Sequence, residues 1–390
     1  MKPLALYLHI PFCGHICPFC AFAVRKDDPK KHQAYLQALK LEVEILKSQF
    51  ELDLTSLKSV YLGGGTPSRL HISEMEGLVT WLNSLGNFTA HSFSIEMNPE
   101  DVTLDYAHAV KDLGINRVSL GVQSFNDKQL QLMERKHSAK DNHKALEILA
   151  QAGFTNINLD LLCGLPNQTL KEVKKDLETF NSYHPQHLSF YLLTMEERAK
   201  AGKKKDWVNW AKNQENLLTD IYLSGVEYLN AVGLQQYEVS NFARPGFESL
   251  QNISNWAGED YLGLGQGAHS MVHIKDAHSK AIGRRFGNES SWAKYQQKLT
   301  KGELPWVYCD KLTDLEKAEE KLMIDLRSPK GILKSQLLHW KDAGFFDLSQ
   351  ASWEQLIFEG MAMENPEESV SLTPKGLLLA DEITAWLLSR

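Results

Sequence analysis

The chain has 390 residues, more than one compact core ordinarily holds, so one large α/β unit with a smaller companion is expected. A formal net charge of -7 argues against a nucleic-acid binder, whose binding domain is normally basic. Five cysteines, three of them crowded into one loop, make no disulfide framework, and no run approaches the ~20 apolar residues needed to cross a bilayer.

In chain order, residues 4–10 alternate and read as a strand leading into the cysteine loop. Residues 31–50 read as a helix, with Tyr35, Leu39, Val43 and Leu46 on one stripe. Short apolar runs then alternate with helical patterns. Strands are expected at 57–62, 92–97, 117–122, 156–162 and 187–193, and helices at 73–85, 104–113, 140–152 and 170–180. A Ser/Glu capping pattern opens the first of these helices, and Gly114 and Gly153 close two others. Six strands alternating with helices imply a parallel sheet of βα units. A closed eight-fold barrel wants two more units, so an open, partial barrel is expected.

The polar stretch 196–206, with Lys200, Lys203, Lys204 and Lys205, reads as a solvated loop. A long helix is expected over 207–232, then a Gly- and aromatic-rich tract over 236–271. From residue 311 the pattern changes to short amphipathic helices at 314–326, 333–343, 352–360 and 375–388, with a short strand at 370–372. This reads as a small winged-helix-like unit. Its acidity (Glu316, Glu319, Glu320, Glu364, Glu367, Glu368) suits a packing or partner role better than DNA binding. The expected division is 1–235, 236–310 and 311–390. Residues 1–10 hold no cleavable signal, so a cytoplasmic protein is expected, with peripheral membrane contact left open.

Residues 7–22 read YLHIPFCGHICPFCAF, placing Cys13, Cys17 and Cys20 in C-x3-C-x2-C spacing. Clustered soft thiolates select zinc, copper(I) or iron–sulfur clusters. A structural zinc site or an ordinary cubane wants four protein ligands, and this loop supplies three. A cubane on three thiolates leaves one iron open to the amino and carboxylate groups of a small molecule. The alternative is a zinc knuckle completed by His9, His15 or a distant ligand, although no second cysteine pair or H-x3-H follows. The spacing resembles the signature loop of the radical S-adenosylmethionine (SAM) superfamily, in which SAM takes the open iron. Phe19 would then cover the adenine.

Ligands in parallel α/β architectures gather at the carboxyl ends of strands. Gly63, Gly64, Gly65 and Thr66 follow the second strand, and glycines let a backbone approach a ligand closely. Glu96 and Asn98 end the third strand, and a carboxylate there suits ribose hydroxyls. Gln123 follows the fourth strand, Arg135 is expected on the next helix, and Asp160 lies near the end of the fifth strand. Each has a bland reading as a surface carboxylate, an ion-pair partner or a cap contact, and their shared placement is what lifts them as a set.

The runs YLHIPFCGHICPFCAF, YLGGGTP, EMNPE, RVSLGVQSF, ERKHS, NINLDLLCGLPNQT, QYEVSNFARPG and YLGLGQGAH together resemble the oxygen-independent coproporphyrinogen dehydrogenase-like radical SAM family, and within it the haem-chaperone branch. The resemblance covers nearly the whole chain. It implies a partial (β/α)6 radical SAM barrel, a [4Fe-4S] cluster on Cys13, Cys17 and Cys20, and bound SAM. By the same resemblance Tyr7, Gly64, Gly65 and Thr66 contact SAM, and Glu96, Gln123, Arg135 and Asp160 match SAM-binding positions. Phe22 stands where the dehydrogenase branch has a further cysteine, and the chain begins just before the loop, without that branch's N-terminal extension. Both features favour the chaperone branch, whose partners are haem and a haem-accepting protein. The family's HNxxYW haem motif is altered, because residues 251–256 read QNISNW, with Gln251 in place of the histidine and Asn255 in place of the tyrosine. A glutamine amide is a poor axial ligand. His269, with His273 and His278 behind it, and then Cys309 are the substitutes nearest in sequence. A porphyrinogen-oxidising radical enzyme, and a relative that keeps the scaffold without haem, are the competing readings.

Overall fold

The computed structural model describes every residue except 56, 87–91, 196–198, 275–281, 347, 349 and 390. Strand β1 (Ala5–Ile10) leads into a short parallel pair, β2 (Phe12–Cys13) and β3 (Arg25–Lys26), which brackets the cysteine loop. Helix α1 (His32–Gln49) follows. Then β4 (Ser59–Gly64), β5 (Ser92–Met97), β6 (Arg117–Gln123), β7 (Ile157–Cys163) and β8 (His187–Leu192) alternate with α2 (Ile72–Leu85), α3 (Leu104–Asp112), α4 (Asp127–Leu132), α5 (Ala139–Gln151) and α6 (Leu170–Ser182). Strands β1, β4, β5, β6, β7 and β8 lie parallel in that order, which makes the partial (β/α)6 barrel.

Side-chain alternation explains why this barrel has a polar interior. In β6, Val118, Leu120 and Val122 pack into the main core, while Arg117, Ser119, Gly121 and Gln123 face the other way and line a cavity. Strand β7 repeats the scheme, with Leu159 and Leu161 in the core and Asn158 and Asp160 on the cavity side.

Helices α7 (Lys205–Asn213) and α8 (Glu215–Ala231) follow β8. They replace the single helix expected over 207–232. The break falls at Gln214, whose φ of -122° and ψ of 24° leave the helical region. The Gly- and aromatic-rich tract is largely sheet. Strands β9 (Gln235–Gln236) and β10 (Asn241–Ala243) extend the β8 edge. After α9 (Leu250–Trp256), β11 (Tyr261–Leu264) runs parallel to β1. Strands β12 (His269–Ile274), β13 (Ile282–Asn288) and β14 (Trp306–Lys311) continue that edge antiparallel, with α10 (Trp292–Thr300) between the last two.

Helix α9 is a thin wall between two cavities. Its cap Ser249 and Asn252 face the barrel cavity, and Asn255 and Trp256 face a second cavity on the other side. The C-terminal segment has its own core around Leu322, Trp340, Trp353, Val370 and Ile383. It comprises α11 (Asp314–Asp325), β15 (Ile332–Leu333), α12 (Lys334–Asp342), α13 (Gln350–Phe358), β16 (Ala362–Asn365), β17 (Ser369–Leu372), α14 (Pro374–Leu377) and α15 (Ala380–Leu388). Its small sheet runs β15-β17-β16, and the helix expected over 375–388 is interrupted between α14 and α15. Helix α2 begins at Ile72, one residue before the expected start, because the Glu74 carboxylate accepts the His71 backbone N–H at 2.8 Å. Among the described residues, no helix is long and apolar enough to cross a membrane.

One buried carboxylate ties α1 to the β11–β14 edge. Glu42 accepts from the Gly265 N–H at 2.9 Å, the Tyr295 hydroxyl at 2.6 Å and the Asn288 amide at 2.6 Å. Burial still pushes its carboxyl up to about 7. The folded pKa lies above the unfolded value, so the folded state holds a proton that the unfolded state has released. Stability from this group is present below the usual glutamate range and is lost as pH rises through about 7. The prediction is that the stability gap between the native chain and Glu42→Gln, measured in urea, falls by about 3 kcal/mol between pH 5 and 8. A gap independent of pH would show that Glu42 stays charged in the fold.

Candidate cofactor site

The cysteine loop is held at its stem before its thiols do anything. The Asp27 N–H donates to the Cys13 carbonyl at 2.8 Å, and the Arg25 N–H donates to the Pro11 carbonyl at 2.8 Å. Asp27 is itself clamped, by His32 Nε2 at 2.7 Å and by the Arg69 guanidinium at 3.0 Å. His9 supports the loop from below. A carbonyl only accepts, so its Nε2 donates to the Ala23 carbonyl at 3.0 Å, and its Nδ1 is left to accept from the Tyr7 hydroxyl at 3.0 Å. Burial lowers the His9 pKa to about 4. With both ring nitrogens engaged, His9 is not available as a fourth metal ligand.

Above this stem the three thiols open onto a cavity of about 480 Å³ at the carboxyl ends of the barrel strands. The structure brings Cys13, Cys17, Cys20, Gly64, Gly65, Thr66, Glu96, Gln123, Arg135 and Asp160 to its wall. Tyr7 is the exception. Its hydroxyl lies under Gly64, against His9, and it is not part of the wall.

A hydrogen-bonded chain joins two of the thiols to the strand ends. The Thr66 hydroxyl donates to Cys13 Sγ at 3.7 Å, and Asn98 Nδ2 donates to that hydroxyl at 3.2 Å. The Arg135 guanidinium donates to Asn98 Oδ1 at 2.7 Å, to the Gly121 carbonyl at 3.2 Å and to Cys17 Sγ at 3.3 Å. Arg135 is expected on a helix but lies in the turn after α4, where Glu134 takes a left-handed φ of 56° and ends the helix. Sequence reasoning gives Asn98 no task of its own. The available signal is its place two residues after Glu96, on the same face of the chain leaving β5.

Two carboxylates stand deeper in the cavity. Glu96 accepts the Gly64 N–H at 2.8 Å, and burial with the nearby Asp160 pushes its carboxyl up to about 7. Asp160 accepts from Asn158 at 2.8 Å and from Ser119 at 3.4 Å, and burial raises its pKa. Gln123 sits in the left-handed region at φ 64°, where β6 and β7 shift register. His137 and Asn142 hold that kink by donating to the Val122 carbonyl at 3.1 and 3.3 Å.

The donor chemistry fits an iron–sulfur cube with one open corner. Among the described residues the wall has three cysteines and no fourth, because Cys163 is buried with its thiol toward the Tyr191 carbonyl and Cys309 lies on β14. Burial pushes the Cys13 thiol up to about 12 and raises that of Cys20, so a metal would have to displace protons from these two thiols to bind. No set of three His, Cys, Asp or Glu side chains among the described residues closes round a single ion. Phe19 packs beside Leu130, Met133 and Leu165 at the cavity mouth. The segment expected as a solvated lysine loop is partly buried there. Ala199 and Ala201 have no appreciable exposure, and the Ala201 N–H donates to the Pro18 carbonyl at 2.7 Å.

The Radical SAM superfamily pattern matches residues 7–180. The chain is similar to the haem chaperone HemW of Bacillus subtilis, with 32% identity over 382 residues that cover 97% of each chain. It is similar also to the haem chaperone HemW of Escherichia coli, with 34% identity over 282 residues, 71% of this chain and 72% of that one. Among solved structures it is similar to coproporphyrinogen III oxidase (HemN) from Escherichia coli, a radical SAM enzyme, at a TM-score of 0.78 and 25% identity, covering 99% of this chain and 90% of the other.

The glycine turn gives a prediction about the site's rigidity. A Cβ on Gly65 would stand 2.6 Å from the Pro11 carbonyl carbon and 2.7 Å from the Ile10 oxygen, both backbone atoms leading into the loop. Gly65→Ala should therefore cost about 2 kcal/mol in urea denaturation. Gly77→Ala, in α2 with nothing within 4 Å of its new methyl, should gain about 1 kcal/mol. Equal effects from the two variants would mean that the turn is not packed on the loop.

Proposed function

The chain belongs to the HemW family of radical SAM proteins, and on that footing we propose that it is a haem chaperone, binding haem and passing it to an acceptor protein while carrying a [4Fe-4S] cluster and SAM. The observation that carries the reading is the likeness to the Bacillus subtilis chaperone along 97% of both chains. Cys13, Cys17 and Cys20 would hold the cluster. When bound, the cluster supplies a one-electron donor and an iron open to the amino and carboxylate groups of SAM. The Thr66 hydroxyl and the Arg135 guanidinium, which already donate to thiol sulfurs, would offset thiolate charge and orient the loop. Gly64 and Gly65 leave room for close backbone approach, and Glu96 keeps one oxygen clear of the Gly64 N–H to accept from ribose hydroxyls. Gln123 and Asp160 line the space beyond. Phe22, exposed at the mouth, puts an apolar ring where a further thiol would otherwise extend the metal site.

The likeness to coproporphyrinogen III oxidase supports a second reading, a radical enzyme acting on a porphyrinogen. One set of measurements on anaerobically reconstituted protein separates the two. The chaperone reading expects iron on the native chain, little on Cys13→Ala or Cys17→Ala, a Soret band on adding haem, haem loss to an apo-haemoprotein, and no coproporphyrinogen turnover. Turnover with release of 5′-deoxyadenosine would move the chain to the oxidase reading. Zinc in place of iron, held equally well by the cysteine variants, would remove both readings. Arg135→Leu should retain iron about tenfold less well against a chelator, as loss of a hydrogen bond to a ligand sulfur predicts.

A further inference from the structure

The second cavity, about 690 Å³, lies between the β11–β13 edge and helices α11 and α12. We propose that it is the seat of haem in this chain, with His273 Nε2 as the ligand to the iron. This inference rests on the haem-chaperone reading above.

His273 is prepared as a metal ligand. Its backbone N–H donates to Asp260 Oδ2 at 2.8 Å, and its Nδ1 bonds the other oxygen of the same carboxylate. A carboxylate accepts, so Nδ1 carries the proton and in the neutral ring Nε2 carries the lone pair. Nε2 has no hydrogen-bond partner among the described residues and faces the cleft. A carboxylate behind an imidazole fixes the tautomer and raises the basicity of the metal-binding nitrogen. Strand β13 passes close beside it. A Cβ on Gly283 would stand 3.5 Å from His273 Nε2, 3.0 Å from Met271 Cε and 3.5 Å from Lys317 Cε, so these groups surround a spot that β13 leaves without a side chain. Met271, two residues before His273 on the same face of β12, brings a thioether as a second soft donor.

The walls suit a planar apolar ring with two acidic tails. Trp256, Tyr261, Trp340 and Phe345 line the cleft. Lys317 and Lys321, one turn apart on α11, would take the propionates. Lys317 now pairs with the exposed Asp314 at 3.2 Å and Lys321 with Asp325. Of the cleft's own acids, Asp314 is thus engaged and Glu320 is held by Arg285.

The other candidates are less well placed. Gln251 faces away from the cleft, its Oε1 accepting from Ser59 at 3.1 Å inside the fold. His269 is engaged with the Tyr308 hydroxyl at 2.8 Å and is not on the cleft wall, Cys309 lies on β14, and His278 falls outside the described residues.

Ferric protoporphyrin IX titrated into the full-length chain, followed by its Soret band, tests the site. His273→Ala should weaken binding at least about tenfold and shift the band, and excess imidazole should restore it. His108→Ala, on the exposed side of α3 and not on the cleft wall, should change neither. Gly283→Leu crowds His273 Nε2 without removing the imidazole, should weaken binding comparably, and decides the matter if His273→Ala fails to fold. A native chain that takes up haem, with His273→Ala and Gly283→Leu matching it in affinity and spectrum, overturns this site and leaves the chaperone reading standing. A native chain that takes up no haem overturns both.

Discussion

The amide of Asn98 is the reference point of the barrel mouth. One end donates to a threonine hydroxyl and the other accepts from a guanidinium, and through those partners two loop sulfurs are registered against β4, β5 and β6. Neither cysteine is positioned by apolar packing alone. The loop is short, and its geometry is borrowed from the strand ends. The His32 and Arg69 clamp on Asp27 does the same for the returning limb of the loop.

That arrangement exists because the strands are amphipathic across the sheet. Fully buried parallel strands usually read as unbroken apolar runs. Here β6 and β7 interleave leucines and valines with Arg117, Ser119, Asn158 and Asp160, and the polar set lines a chamber instead of filling a core. Burial in that chamber raises the pKa of both Glu96 and Asp160, and the Asp160 charge adds to the rise at Glu96.

Much of this was readable from residue order. Six parallel strands followed from apolar runs at regular spacing, and the thiol loop from three cysteines in eight residues. What stayed hidden depended on contacts distant in sequence. Nothing local marks Gln214 as a helix break, because propensity is a weak prior beside tertiary packing. The edge β11–β14 hid among glycines and aromatic residues, since its mostly antiparallel strands do not follow the regular alternation of strand and helix. Tyr7 was expected at the ligand but buttresses His9, because alternation tells which side of a strand a residue takes and not how far along the barrel its tip reaches.

Helix α9 divides the interior with only seven residues, presenting Asn252 to one chamber and Trp256 to the other. Any shift of that helix for an occupant of one chamber would be felt in the other. If the occupant of the barrel tightens the grip on whatever sits beyond, the second must tighten the grip on the first by the same factor, because thermodynamic linkage between two sites is symmetric. Loading order would then be free to vary while the doubly filled state stays the same.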